Sequence, residues 1–145
     1  MDHDFDIDLF LQRPLIAHLA TMSEDGARES PVWFLWEDNA IWLVGNTRDS
    51  FPKRIQADGR CAIGLVDFDL EGGLLQHVGL RGNATVVPLD QARLYRLLRR
   101  YLGDDQSSWS PWFRANIIDG LDLMVHFIPT SIVARDQSYF ADTDG

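Results

Sequence analysis

Apolar and polar positions alternate in short runs along most of the chain, and one segment alone carries a sustained helical repeat. Near the start, Leu9–Ala17 reads as a short helix with Pro14 in an awkward place, because proline removes a backbone donor and crowds the preceding turn. Strand patterns follow over His18–Met22, Ser30–Trp36 and Ala40–Gly45. Ser23-Glu-Asp-Gly26 and Glu37-Asp-Asn39 separate them, both with hairpin-turn chemistry. Ser30-Pro-Val-Trp-Phe-Leu-Trp36 is bulky throughout, as expected of a strand covered on both faces. A polar loop from Asn46 then leads into a helix that Asp49 or Ser50 can cap, with Pro52 in its first turn and Gly59 as its stop.

Strands resume at Arg60–Asp67 and at about Leu75–Val87. The second carries Gly79 and Gly82, which suggest a bend, bulge or close backbone approach in a curling sheet. Over Asp90–Leu102, Leu94, Leu97, Leu98, Tyr101 and Leu102 recur at helical spacing, with Asp90 as cap and Gly103 as stop. Its Arg93, Arg96, Arg99 and Arg100 read as a solvated face near the helix C-terminus rather than a phosphate grip. Ser107–Ile118 is an aromatic-rich loop or short helix, and Leu123–Ile128 and Ser131–Arg135 read as two closing strands around Pro129-Thr130. The fold class expected is mainly β (α+β): an antiparallel barrel of six or seven strands with short flanking helices, forming one domain over residues 1–145.

A length of 145 residues suffices to bury a core without metal or disulfide support. The formal charge of −9 argues against nucleic acid and anionic membranes as partners, yet leaves room for one small anion in a local basic pocket. The single cysteine, Cys61, excludes an internal disulfide and a multi-cysteine metal cage, and its apolar neighbours predict a buried thiol. No apolar run approaches the ~20 residues of a membrane span. The amino terminus is acidic where a signal peptide would be basic, so a cytoplasmic protein is expected. His3, His18, His77 and His126 show no metal-ligand spacing, and His18 and His126 read as structural strand residues. Nucleophile-elbow, P-loop and dinucleotide glycine motifs are all missing, so hydrolase, kinase and Rossmann readings have no support.

One segment retains chemical information. Lys53 is the only lysine in the chain. With Thr47, Ser50 and Arg54 it lies on a turn entering a helix, where hydroxyls, free backbone N–H groups and two cations can converge on a terminal phosphate. Asn46–Arg60 carries four cations (Arg48, Lys53, Arg54, Arg60) against two anions (Asp49, Asp58). An ordinary solvated helix start is the alternative. Trp33, Trp36, Trp42, Trp109 and Trp112 could wall a planar heterocycle, although core packing and subunit contacts are commoner uses.

The order of several segments resembles the pyridoxamine 5′-phosphate oxidase-like family of flavin-binding split barrels. These are Leu15-Ile-Ala-His-Leu-Ala-Thr-Met-Ser-Glu-Asp-Gly26, Ser30-Pro-Val-Trp-Phe-Leu-Trp36, Ile41-Trp-Leu-Val-Gly-Asn-Thr47 and Ser50-Phe-Pro-Lys-Arg54. Later pieces agree: Asp58-Gly-Arg-Cys-Ala-Ile-Gly-Leu65, His77-Val-Gly-Leu-Arg-Gly-Asn-Ala84 and Ile128-Pro-Thr-Ser-Ile-Val-Ala-Arg-Asp136, so the match spans about residues 9–136. The resemblance implies a six-stranded split β-barrel and a homodimer with FMN at the subunit interface. It places the phosphate contacts on Thr47, Ser50, Lys53 and Arg54, with Asn46 opening the same loop, and the ring-edge contacts on Ser30, Pro31, Val32 and Trp33. His77, with Gln76 beside it, falls where the family often touches the flavin with a glutamine.

Three departures matter. The spacing is Ser-x-x-Lys where the oxidases have Ser-x-Lys, and Ser30 stands where they begin the ring strand with an arginine, so Arg54 or Arg48 would have to compensate. The chain closes Asp136-Gln-Ser-Tyr-Phe-Ala-Asp-Thr-Asp-Gly145, lacking the Arg-Leu-His-x-Arg segment with which the vitamin oxidases grip their substrate. Oxidation of pyridoxamine phosphate is therefore not expected. No axial-ligand pattern supports haem, and few cations are available for the long anionic tail of the deazaflavin F420. The resemblance thus implies an FMN-dependent oxidoreductase acting on a small-molecule substrate. The alternatives are a non-catalytic flavin-binding or stress-response module and an F420-dependent reductase.

Overall fold

In the computed structural model, which describes residues 4–140, the first helix is shorter than its pattern suggests. Helix α1 spans Ile7–Leu11; the Asp6 side chain accepts from the Leu9 N–H at its start, and Gln12 closes it. It cannot run to Ala17 because Pro14 supplies no donor, and Ala17 instead opens strand β1 (Ala17–Ser23). The remaining elements are β2 (Gly26–Val32), β3 (Leu35–Glu37), β4 (Ala40–Gly45), α2 (Ser50–Ala57), β5 (Arg60–Asp69), β6 (Leu74–Pro88), α3 (Gln91–Leu102), α4 (Pro111–Asn116) and β7 (Leu123–Asp136). One antiparallel sheet of seven strands results, ordered β2-β1-β5-β6-β7-β4-β3.

The bulky Ser30–Trp36 segment is not one strand. It breaks at Trp33-Phe34, so that β2 pairs with β1 while β3 pairs with β4. These are the two edges of the sheet, and the short step between them curls it into a barrel. Tyr101 of α3 pins the break: its hydroxyl accepts from the Phe34 N–H at 3.1 Å and donates to the Leu15 carbonyl at 2.7 Å. Nor is the β2 part of that segment covered on both faces, since Pro31 is exposed and Ser30 and Val32 are only half-buried. The two closing strands expected around Pro129 are in fact the single strand β7. Gly82 lies opposite Pro129 and Arg81 opposite Ser131, so Thr130 is the extra residue of a bulge, and its hydroxyl donates to the Arg81 carbonyl at 3.2 Å. The bulge lets a donor-less proline sit inside a long strand. The fold class is the one expected, with seven strands because one predicted strand divides and two others merge.

Alternation along β1 and β5 turns Leu19, Ile63 and Leu65 into the barrel, where they meet Phe34, Leu43, Leu80 and Phe127. A second cluster forms outside, with Leu94, Leu97 and Leu98 of α3 against Leu35, Trp42 and Met124. The arginine face of α3 is only partly solvated: Arg99 is exposed beside Asp104, whereas the other three are held by the protein. Arg93 and Arg96 converge on Glu37 at 2.6–3.1 Å, and Arg93 also reaches Asp38 at 2.8 Å while lying 3.9 Å from the centre of the Trp42 ring. Arg100 donates to the carbonyls of Leu11 and Arg13 at 2.9 and 2.7 Å, tying α3 to the chain ahead of β1. Asp38 and Asn39, which supply these acceptors' turn, both adopt φ of 57°, the left-handed pair that a tight hairpin between β3 and β4 requires.

The Cys61 thiol is buried as expected, and burial pushes its pKa up to about 11. The thiolate is the reacting species, so Cys61 is expected to resist a disulfide reagent at pH 8 in the native protein and to react stoichiometrically once urea unfolds it. Fast labelling of the native protein would contradict this burial. His126 stacks on Trp42 with centroids 4.2 Å apart, consistent with a structural role, whereas His18 is half-exposed and meets Glu29 at 2.6 Å. His3 lies outside the described residues. Among the described residues no cluster of metal-ligating side chains occurs, and no helix is long and apolar enough to cross a membrane.

Candidate functional site

The loop from β4 to α2 is folded by its own side chains. The Asn46 amide oxygen accepts from the N–H groups of Arg48 and Asp49 at 2.8 and 3.1 Å, and the Asp49 carboxylate turns back to the Asn46 N–H at 3.0 Å. Asp49 therefore occupies the cap position of α2 without bonding to the helix, and the first-turn N–H groups keep no side-chain acceptor among the described residues. Ser50 and Lys53 stand exposed on that first turn, while Phe51, Pro52 and Ile55 anchor the other side of the helix in the barrel.

Arg54 points the other way, across to the first two strands. Its Nε donates to the Thr21 hydroxyl at 2.6 Å, and Nη2 lies 3.5 Å from the Ser30 hydroxyl. The structure thus joins Ser30 and Arg54, which are distant in sequence. Thr21 was not among the sequence candidates. Its signal, a hydroxyl at an inward-facing position between Leu19 and Ser23, is too common in strands to single out without the fold.

Not every candidate is free to act at this corner. Asn46 is occupied by its own loop, and the Thr47 hydroxyl donates to Asp122 at 3.2 Å. Arg60 is closed onto Asp58 by contacts of 2.7 and 3.1 Å, and this guanidinium holds the Asp58 carboxyl down at about 2. The local positive charge therefore rests on Arg48, Lys53 and Arg54. Among the described residues none of these three meets a carboxylate within ion-pair distance.

Beyond Ser30, Pro31, Val32 and Trp33 border an apolar cavity of about 350 Å³ that also touches Asp49 and Phe51 at the entrance to α2. Asp49 is its only charged lining residue. The Trp33 indole is held between Tyr101, 4.4 Å away and parallel within 3°, and Phe113, 5.6 Å away. Trp36, Trp42 and Trp109 are packed in the interior, and Trp112 is exposed. The apolar, aromatic-walled chamber adjoins this corner along the chain, at Pro31 after Ser30 and at Asp49 before Ser50, while none of Arg48, Lys53 and Arg54 lines it.

His77 is not brought to this place. It lies on the outer face of the sheet, in a groove of about 690 Å³ with His18, Arg81 and Arg135 along its rims and Gly64 and Gly79 paired on its floor. The neighbouring Gln76 turns inward, where it accepts from Arg13 and donates to Asp136, each at 3.0 Å. Val66 and Val133 stand exposed on the same outer face.

Comparison with known proteins adds a fold-level result. No family model matches the chain. No curated protein matches it either. Solved structures do. The conserved hypothetical protein Rv2991 from Mycobacterium tuberculosis is similar over 100% of this chain and 96% of its own, with TM-score 0.73 and 19% identity. A structure described as an F420 reductase is similar over 91% of this chain and 98% of its own, with TM-score 0.67 and 23% identity. The FAD-binding protein from Mycobacterium smegmatis covers 95% of this chain and 100% of its own, with TM-score 0.63 and 16% identity.

Proposed function

The chain has the split-barrel fold shared by pyridoxamine 5′-phosphate oxidase-like and other flavin-binding proteins, and on that premise we propose that it binds FMN as the cofactor of an oxidoreductase. The observation that carries this reading is Arg54. It is a half-buried guanidinium in the last turn of α2 whose partners are two neutral hydroxyls, one of them on Ser30, the residue before the Pro31–Trp33 segment that lines an apolar chamber. A phosphate dianion supplies the charge that Arg54 lacks, with Arg54 and Ser30 as donors on the strand side and Lys53, Ser50 and the open N-terminal turn of α2 as donors on the solvent side. The apolar chamber suits a planar heterocycle with its edge on the Pro31–Trp33 backbone. The flavin supplies the electron-transfer chemistry; the protein's residues bind, orient and shield it.

His77 enters this reading through a second copy. The side-chain-free Gly64–Gly79 floor and the exposed Val66 and Val133 favour a homodimer formed through the outer sheet face, with the flavin near the interface. The F420 reductase among the structural neighbours keeps a deazaflavin as the second reading. A soluble small molecule, rather than nucleic acid or membrane, fits the net charge of −9 and the small cationic corner.

The test is the visible spectrum of the purified protein, followed by reconstitution with FMN or F420 and a turnover assay with NADH and NADPH. Flavin absorbance with FMN uptake, flavin reduction by a nicotinamide and a dimer in sedimentation are expected. A colourless, folded protein that takes up neither compound would overturn the cofactor reading. Selective uptake of F420 would replace FMN, and FMN uptake without turnover on any acceptor would favour a binding module.

A further inference from the structure

Resting on the FMN reading, we infer that Thr21 is the residue that sets Arg54 for the phosphate. Thr21 and Gln76 are the two polar side chains buried in the interior among the described residues, and Thr21 is 1% exposed. It sits in β1 with its side chain turned inward, paired with Arg28 of β2 on one side and Cys61 of β5 on the other. A threonine hydroxyl has one hydrogen to give and two lone pairs to offer. Here the hydrogen is directed to the Arg28 carbonyl at 3.5 Å, while the oxygen accepts the Arg54 Nε–H at 2.6 Å. The strand ladder fixes the oxygen, and the oxygen fixes the guanidinium.

The choice of nitrogen matters. Nε is the guanidinium nitrogen nearest the chain, so holding it orients the planar fork without consuming either terminal nitrogen. Nη2 remains beside the Ser30 hydroxyl at 3.5 Å, and Nη1 has no acceptor among the described residues. A fork presented in this way can meet two phosphate oxygens, and its orientation is set before the ligand arrives. In this chain an arginine reaching over from α2, locked by a buried hydroxyl from β1, does what an arginine at position 30 would otherwise do. Thr21 touches no ligand in this arrangement and is a positioning residue.

The experiment compares Thr21→Val, which keeps the shape but removes the hydroxyl, with Thr21→Ser, which keeps the hydroxyl. FMN and riboflavin affinities are read by flavin fluorescence in the wild-type and Arg54→Ala backgrounds. Thr21→Val is expected to weaken FMN about tenfold. Riboflavin, which lacks the phosphate, should be unaffected, Thr21→Ser should stay near wild type, and Thr21→Val should add nothing in the Arg54→Ala background. Equal weakening of FMN and riboflavin, no weakening of FMN, or the same loss in the absence of Arg54 would overturn the inference while leaving FMN binding intact. A folded wild-type protein that binds neither flavin overturns the underlying reading and this inference with it. Should Thr21→Val fail to fold, the Thr21→Ser and Thr21→Ala pair carries the same comparison.

Discussion

Arg54→Ala is expected to weaken FMN binding ten- to hundredfold while leaving the barrel folded. A hydrogen bond to a charged group contributes about 1.5–3 kcal/mol, and each 1.4 kcal/mol is about tenfold in affinity. Arg54 reaches the Ser30 side of the corner and has no carboxylate partner among the described residues, so truncating it strands no buried acid. The Thr21 hydroxyl loses its 2.6 Å partner but retains the Arg28 carbonyl. Lys53→Ala should cost less, because Lys53 stands exposed on the first turn of α2, where water and salt screen it. Arg60→Ala should leave FMN affinity unchanged, since Arg60 is already committed to Asp58. Fluorescence titration of the three variants checks this ranking. An Arg60 effect as large as that of Arg54 would mean that the phosphate sits elsewhere on the loop.

Gly82→Ala is expected to destabilise the barrel by about 2–3 kcal/mol, in the range of overpacking into a fixed surround. A Cβ at this position would lie 2.1 Å from the Ile128 carbonyl oxygen and 2.8 Å from the Pro129 Cα. Both are backbone atoms of the partner strand, held by the long β6–β7 ladder, so neither can rotate aside. Relief would require reshaping the bulge that accommodates Pro129. Gly64→Ala is the control: a Cβ there meets nothing within 4 Å, so the fold itself should tolerate it. Thermal unfolding should show a drop of several degrees for Gly82→Ala and little change for Gly64→Ala. Equal melting temperatures would contradict the close approach at the bulge.

The strand alternation and the α3 repeat made most of the barrel legible in the sequence, because an inward-facing position in β1 or β5 must be apolar whatever the neighbouring strand is. What escaped was set by tertiary contacts. Ser30–Trp36 has no glycine or turn residue at Trp33-Phe34 to announce a break, which is imposed by closure of the sheet and held by Tyr101 from a helix far along the chain. Pro129 reads as a strand end, and only the bulge opposite Gly82 allows β7 to continue. Arg93, Arg96 and Arg100 of α3 follow a solvent-face pattern, but Glu37 and two backbone carbonyls wait for them in space.

The candidate site divides in the same way. The cationic helix start at Ser50, Lys53 and Arg54 was visible because capping chemistry and charge are local. Thr21 and the pairing of Arg54 with Ser30 were not, because they depend on α2 lying over β1 and β2. The loop's excess of positive charge stands, but the sequence could not show that Arg60 is neutralised by Asp58, which leaves that excess on Arg48, Lys53 and Arg54.

An equilibrium titration of the folded, flavin-free protein with FMN and, in parallel, with riboflavin bears most directly on the phosphate corner. Saturable binding of one FMN per chain, with riboflavin at least tenfold weaker, is the predicted result. No FMN binding, or equal affinity for the two compounds, would contradict a site built around Arg54 and the start of α2.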